Sequence, residues 1–352
     1  MQEEFEVAVV GGGPAGAVAA LCLARFGRRV ALFEATAFDG ERYGETLPPE
    51  INLLLRHLGL WEQFQALSPL ESPGILSVWG ASAPVEVDFL ANAYGSGWHI
   101  DRNRFDAMLC SEAAGAGAQL FLRHRVSEYQ WEGNHWKVGP IRAKILVDAA
   151  GRNGLRLHRT SRRKTEDVLL AIAAKILPAV EGPSDLRTYI ETTPSGWWYT
   201  APLPQKEMMA MFFTGPEVYN NQPFTLAEQL GDAPLTASRL EGGRIASTRV
   251  IYAPSSCRQP MFGDHWIAIG DSASAYDPLS GRGIFKALQQ AKLAADALNA
   301  MLHGEADRIS HYATKVHRDF DRYVSQRRRY YAGELRWSAF PFWQARLLRA
   351  YA

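Results

Sequence analysis

Hydrophobic residues come in short bursts at the start of the chain. Residues 6–10 form an apolar, β-branched run that ends on glycines, and 17–26 follow as an alanine-rich stretch suited to a packed helix. Gly27 closes that helix, and residues 29–34 (RVALFE) are a second apolar run. Strand, glycine turn, helix and strand therefore succeed one another within about thirty residues, the order of a βαβ unit. Both strands are apolar at nearly every position, which predicts a parallel sheet covered on both faces.

Residues 46–67 read as a helix opened by Pro48 and Pro49, with Leu53, Leu54, Leu58 and Leu60 along its apolar side. The alternation across 75–89 predicts strands, and 102–116 a further helix. Residues 121–126, 128–138 and 141–147 read as strands, the last running into the turn at Gly151. Between 169 and 248 the pattern changes to strands rich in aromatic residues and methionines, among them Trp197-Trp198-Tyr199 and residues 208–213. A buried strand at 266–269, a loop over 270–283 and a helix over 284–302 follow. Beyond Ile309 the chain reads as helical and mixes Arg327, Arg328, Arg329, Arg336 and Arg346 with Tyr330, Trp337, Phe342 and Trp343. There is no internal repeat and no low-complexity linker.

The glycine turn carries the first chemistry. Residues 11–16 (GGGPAG) fit GxGxxG: Gly11 makes the tight turn, Gly13 lets a pyrophosphate approach the backbone, and Gly16 allows close helix packing. Pro14 and Ala15 open a helix whose free N–H groups and partial positive charge suit phosphate. Glu34 closes the next strand, where a carboxylate can hydrogen-bond a ribose 2′-hydroxyl, favouring the unphosphorylated ADP moiety of FAD or NAD over NADP.

A second motif chooses between FAD and NAD. Residues 270–273 (GDSA) and 276–283 (YDPLSGRG) resemble the GD motif of flavoprotein hydroxylases of the p-hydroxybenzoate hydroxylase type. The resemblance implies that Asp271 meets the ribityl chain. It also implies that Pro278, Gly281, Gly283 and Ile284 lie at the pyrimidine side of the flavin ring, where a helix N-terminus stabilises reduced flavin. Asp101-Arg102, followed by Phe105 and Leu109, resembles the arginine-bearing helix start of the same superfamily. Residues 148–152 (DAAGR), with Gly151, resemble the DxxGR form of tryptophan halogenases and geranylgeranyl reductases. On the same resemblance Ala35, Arg42 and Val126 join the cofactor-binding set. The implied fold is α/β, a Rossmann-like FAD-binding domain over 1–74, 97–168 and 255–305. A β-rich substrate domain over 75–96 and 169–254 interrupts it, and C-terminal helices over 306–352 finish the chain.

The branch narrows further. Residues 42–49 (RYGETLPP) resemble the GES-x-P segment of halogenase-like flavoproteins, and 196–202 (GWWYTAP) stand where halogenases carry G-W-x-W-x-I-P. Halogenases also need a lysine soon after the first segment, and here the first lysine is Lys137, so halogenation is disfavoured. GWWY-x-A-P-L-P and the ending built on Tyr331, Glu334, Arg336-Trp337 and Phe342-Trp343 resemble the LodB-like and GoxB-like maturases of quinone-cofactor amine oxidases. That resemblance implies monooxygenation of an electron-rich aromatic, a tryptophan of a partner protein included. Glu45, Trp197 and Tyr199 are the candidate catalytic residues. A second GxGxxG unit is absent, so the reductant is external, NAD(P)H bound in passing or a separate reductase. A small-molecule FAD hydroxylase, an isoprenoid-type FAD reductase and a non-catalytic FAD-binding assembly factor are the alternatives.

Each of these residues also has a purely structural reading. Trp197, Trp198 and Tyr199 alternate along a strand, so at least one faces away from its neighbours and belongs to a core. Glu45 reads equally as a structural cap, and His99 as a satisfied strand histidine. The basic, aromatic C-terminus reads as a helix packed on its domain and as a docking surface for a protein partner.

Composition adds exclusions. A net charge of +1 over 352 residues argues against a molecule-wide nucleic-acid surface. Cys22, Cys110 and Cys257 form neither a CxxC pair nor an even disulfide set and read as thiols in a reducing compartment. No metal site is assigned. The start lacks a signal peptide's basic flank and no apolar run is long enough to span a bilayer, so the expectation is a cytoplasmic protein.

Overall fold

The computed structural model describes residues 3–89, 92–157, 161–179, 185–220, 225–305 and 307–348. Parts of the expected β-rich stretch, 180–184 and 221–224, and the last residues of the expected C-terminal helix, 349–352, lie outside them.

Strand Glu3–Val10 lies at the centre of the first sheet because its run of apolar residues is buried on both faces. It pairs in parallel with Ile141–Asp148 on one side and with Val30–Phe33 on the other. Gln119–Phe121 extends the sheet beyond the latter, and Trp266–Ala268 extends it beyond the former. Strand order thus reverses around Glu3–Val10. The glycine turn that follows it sits at the carboxyl end of the strands at a topological switch point, where open α/β sheets take their ligands. Helix Pro14–Arg25 is mostly alanine and glycine on its buried side, so it fits closely between this sheet and the helices Arg102–Gly115 and Gly283–Leu302.

A second, seven-stranded sheet runs from Arg244–Tyr252 at one edge to Val85–Asp88 at the other. Its neighbours pair antiparallel except where Thr188–Thr193 meets Gly74–Val78. Side chains alternate between its faces. Trp197, Met209, Met211 and Phe213 pack on one side with Tyr331, Phe342 and Trp343. Trp198, Met208, Ala210 and Phe212 pack on the other. Covering both faces explains why strand Met208–Thr214 is buried throughout. Between the two large sheets lies a small one, in which Gly97–His99 pairs with Thr46–Leu47 and with Leu70–Ser72.

Several sequence expectations change. The helix expected over 46–67 is a strand, Thr46–Leu47, followed by two helices, Ile51–His57 and Trp61–Ala66, parted at Gly59 in the left-handed region (φ 63°). Ile51, Leu55 and Leu58 form its buried side, while Leu53 is 60% exposed. The strand expected over 121–126 ends at Phe121, just before the left-handed Arg123, and 128–138 folds as a hairpin turning at Gly133. Three short helices, Pro216–Tyr219, Leu226–Leu230 and Pro234–Arg239, interrupt the β-rich stretch. The C-terminal stretch is part core and part surface, with Tyr330, Leu335 and Phe340 exposed. Phe342 and Trp343 are fully enclosed, and Arg327 and Arg346 are buried. Among the described residues no helix is long and apolar enough to cross a membrane.

Candidate active site

Three separate sequence motifs converge at the carboxyl end of Glu3–Val10. Gly11 (φ 112°) passes so near strand Ile141–Asp148 that a Cβ there would stand 2.3 Å from the Ala149 carbonyl oxygen. Gly270 (φ 60°) abuts Ala15 just as closely: a Cβ would stand 2.6 Å from the Ala15 methyl. Gly16 backs onto the turn itself, where a Cβ would meet the Gly11 carbonyl oxygen at 1.9 Å. These glycines are fixed by protein. Gly13 differs, for a Cβ there would meet nothing within 4 Å, and the same holds at Gly151, Gly281 and Gly283. Four glycines therefore face open space beside two long helix starts, Pro14–Arg25 and Gly283–Leu302, neither of which has a side-chain cap. Uncapped N–H groups and a bare backbone are the cradle that a dinucleotide's phosphates and ring would fill.

Carboxylates frame this space. Glu34 accepts from the Gly12 amide through Oε2 at 3.0 Å. Its Oε1 takes the Thr36 amide and hydroxyl and the Arg42 guanidinium. Oε1 is saturated, whereas Oε2 keeps acceptor capacity for a hydroxyl. Arg42 also binds Asp106 at 2.9 Å, and Asp106 in turn holds Arg102, whose guanidinium donates to the Tyr43 carbonyl. Ala35 is half-buried next to Glu34, and Val126 packs against the main core.

Asp271 sits in the tight turn after Trp266–Ala268. Its Oδ1 lies 2.7 Å from the Lys286 ammonium and its Oδ2 3.4 Å from Arg152. Burial works against its charge, but Lys286 and Arg152 outweigh it and hold its pKa below the ordinary carboxylate value. Its side chain is still 30% exposed, so a face remains for a ligand hydroxyl. Pro278 opens the next turn, Gly281 closes it in the left-handed region (φ 59°), and Ile284 begins the buried side of the following helix.

The candidate catalytic residues divide. Glu45 and Tyr199 come together where the small sheet meets the aromatic sheet, Glu45 fully buried and Tyr199 partly so. Burial raises both pKa values, that of Glu45 in spite of the Tyr199 hydroxyl and the Arg102 guanidinium. The Tyr199 hydroxyl lies 2.6 Å from Thr46 Oγ1, and that hydroxyl is 3.3 Å from His99 Nδ1. Trp197 stands apart from this group. Its ring stacks on Phe213 with centroids 4.0 Å apart, and its Nε1 donates to the Tyr331 hydroxyl. Tyr331 passes the line on to Asp277, which also receives Arg327 at 2.9 Å.

Sequence reading missed Lys286, Asp277, Thr46 and the working context of His99. Asp277-Pro278 is a turn signal that points at a local role only. For Lys286 there is no local signal, because its partner Asp271 lies a whole loop earlier. The thiols behave as expected: all three are free, Cys110 and Cys257 are buried, and burial pushes Cys22 and Cys257 up to about 11.

The fold and this convergence define a flavin-type dinucleotide site, and comparison with known proteins agrees. The FAD binding domain family model matches residues 4–327, so the chain belongs to that family. The putative FAD-dependent oxidoreductase LodB of Marinomonas mediterranea is 26% identical, the alignment covering 98% of this chain and 97% of LodB. A 1H-pyrrole-2-carbonyl-[peptidyl-carrier protein] chlorinase of Pseudomonas fluorescens is 25% identical, over 96% of this chain and 86% of its own. Among solved structures, the peptidyl tryptophan dihydroxylase QhpG, essential for tryptophylquinone cofactor biogenesis, superimposes with a TM-score of 0.78 at 22% identity. That match covers 97% of this chain and 78% of QhpG. The protein is an FAD-dependent oxidoreductase.

Proposed function

We propose that this oxidoreductase is a monooxygenase whose substrate is a tryptophan side chain within a partner polypeptide. The observation that carries the reading is the wall between the small sheet and the aromatic sheet. It holds a buried carboxyl and a partly buried phenol, Glu45 and Tyr199, in a chain whose first lysine is Lys137. A carboxyl and a phenol can orient an aromatic ring and handle a proton. A halogenase's directing lysine has no counterpart in the segment that carries it in halogenases. The likeness to LodB, and to QhpG as a dihydroxylase of peptidyl tryptophan, supports the choice of a protein-borne tryptophan.

When bound and reduced, FAD supplies the activation of O₂. The chain's own residues hold it. The turn with Gly11, Gly13, Pro14, Ala15 and Gly16 would take the pyrophosphate, and Glu34 a ribose hydroxyl through its free Oε2 position. Ala35, Arg42 and Val126 would line the adenosine side. Arg102 and Gly151 would flank the middle of the cofactor, and Asp271 would accept from the ribityl chain. Pro278, Gly281, Gly283 and Ile284 would meet the ring, where the helix start favours added negative charge. A second nucleotide fold is absent among the described residues, and the reductant is external.

Co-expression with a partner encoded beside it tests the reading. Mass spectrometry of the partner should show oxygen added to one tryptophan, lost when FAD binding is abolished. Efficient hydroxylation of a free small aromatic with no modified partner would refute it, and incorporated chloride or bromide would return the chain to the halogenases.

The cofactor assignment is tested separately. Asp271→Ala removes a charged acceptor, a loss typically of about 1.5–3 kcal/mol, so FAD affinity should fall roughly 10- to 100-fold by fluorescence titration. Unchanged affinity would remove Asp271 from the set.

A further inference from the structure

The polar groups between the small sheet and the aromatic sheet form a one-way chain, and one end fixes its direction. The Leu186 carbonyl oxygen lies 2.8 Å from His99 Nε2. A carbonyl only accepts, so Nε2 carries the hydrogen. His99 is fully buried, and burial lowers its pKa to about 4 against the help of that carbonyl, so the ring is neutral at physiological pH. Its Nδ1 is then an acceptor, and Thr46 Oγ1, at 3.3 Å, donates to it. That hydroxyl has one hydrogen. It must accept from Tyr199, whose phenol lies 2.6 Å away.

The consequence falls on Glu45. The Tyr199 hydrogen is committed to Thr46, so the phenol beside Glu45 offers that carboxyl only an oxygen lone pair. Glu45 Oε2 is satisfied by the Gly44 amide at 2.9 Å. Glu45 Oε1 is buried with no hydrogen-bond partner among the described residues. An ionised oxygen left so is costly, and a proton on it turns an acceptor with nothing to accept into a donor.

We propose that Glu45 is a neutral carboxylic acid with its proton on Oε1, and that Thr46 and His99 are positioning residues that keep it so by fixing the direction of the Tyr199 hydroxyl. This rests on the reading of Glu45 and Tyr199 as active-site residues. The charged and titratable groups facing the cluster are Arg102 and Tyr43 from the flavin side and Arg239 from behind Tyr199 and His99. Burial raises the Glu45 pKa and outweighs the Tyr199 hydroxyl, the local backbone amides and the Arg102 guanidinium, all of which favour the charged form. A neutral acid here keeps a proton that a carboxylate at the same place would lack.

Infrared spectroscopy of the resting, flavin-loaded protein, with and without ¹³C-labelled glutamate, reads this directly. At neutral pH the wild type should show the carbonyl stretch of a protonated carboxylic acid, absent from Glu45→Gln. Thr46→Val frees the Tyr199 hydrogen for Glu45, so the acid band should be lost at neutral pH, while Thr46→Ser keeps it. His99→Leu lets Thr46 turn its hydrogen to Tyr199, with the same loss, while His99→Asn, whose amide oxygen replaces Nδ1 as acceptor, keeps the band. If Thr46→Val and His99→Leu do not fold, Tyr199→Phe serves: the acid band should move to higher frequency as its acceptor disappears. A wild type without the band overturns the proposal, as does a band unmoved in Tyr199→Phe. A band that survives both Thr46→Val and His99→Leu removes those two residues from it. No turnover is involved, so an unmodified partner would refute the proposed reaction and leave this result standing.

Discussion

Gly13→Val should yield a folded protein that purifies without flavin, and Gly16→Val should yield no folded protein. The two glycines stand three residues apart in one motif, yet only one of them is fixed by the protein itself. At Gly13 a Cβ meets nothing within 4 Å and the backbone is extended, so valine costs the apo fold little. It would fill the space that the diphosphate needs. At Gly16 the Cβ would stand 1.9 Å from the Gly11 carbonyl oxygen, a backbone atom that cannot move without pulling Glu3–Val10 out of the sheet. Circular dichroism and the visible flavin spectrum separate the cases. A yellow Gly13→Val protein would show that the phosphates lie elsewhere, and a stable Gly16→Val protein would show that the turn is looser than described.

The second large effect is expected at Arg327. This buried guanidinium joins Asp277 at 2.9 Å and also pairs with Asp167, while Tyr331 donates to the same Asp277 oxygen. Arg327→Met removes the guanidinium that two buried carboxylates share. Breaking such a pair from one side typically costs about 3–5 kcal/mol. Urea unfolding followed by tryptophan fluorescence should show a loss of that size. Asp167→Asn and Asp277→Asn added to Arg327→Met should recover most of it, because the charges then disappear together. A single variant within about 0.5 kcal/mol of wild type, the range of an ordinary surface change, would refute the assignment.

The parts of this fold that are legible in the sequence are those whose signal is local. The first βαβ unit declares itself because strand, glycine turn and alanine-rich helix are contiguous, and the helix over Arg102–Gly115 ends within a residue of its expected bounds. The segment 46–67 misleads because Leu53, Leu54 and Leu58 mimic a helical stripe. The break at Gly59 and the pairing of Thr46–Leu47 with Gly97–His99 depend on a strand some fifty residues away. For the site, glycines and acidic residues in motifs can be named from spacing. That Thr46 and His99 lie against Tyr199 cannot, since three elements of two sheets meet there. The aromatic C-terminus is ambiguous in the sequence because tryptophan and arginine serve cores and interfaces alike. In the structure Phe342 and Trp343 are buried against the seven-stranded sheet, whereas Arg329 and Tyr330 stay exposed.

The strand Trp266–Ala268 has a consequence for how the protein is made. It completes the parallel side of the first sheet against Ile141–Asp148, and the turn that follows it brings Gly270 against Ala15. A ribosome therefore releases the glycine turn long before it releases the segments that close over it. Until then the emerging chain exposes the edge of residues 146–148 and the apolar side of Pro14–Arg25 that will meet Gly283–Leu302. Such an unpaired edge and bare helix face are what chaperones recognise and what aggregates in their absence. Cofactor loading thus belongs to the end of synthesis, and yields of coloured protein should respond to chaperone supply more than to riboflavin supply.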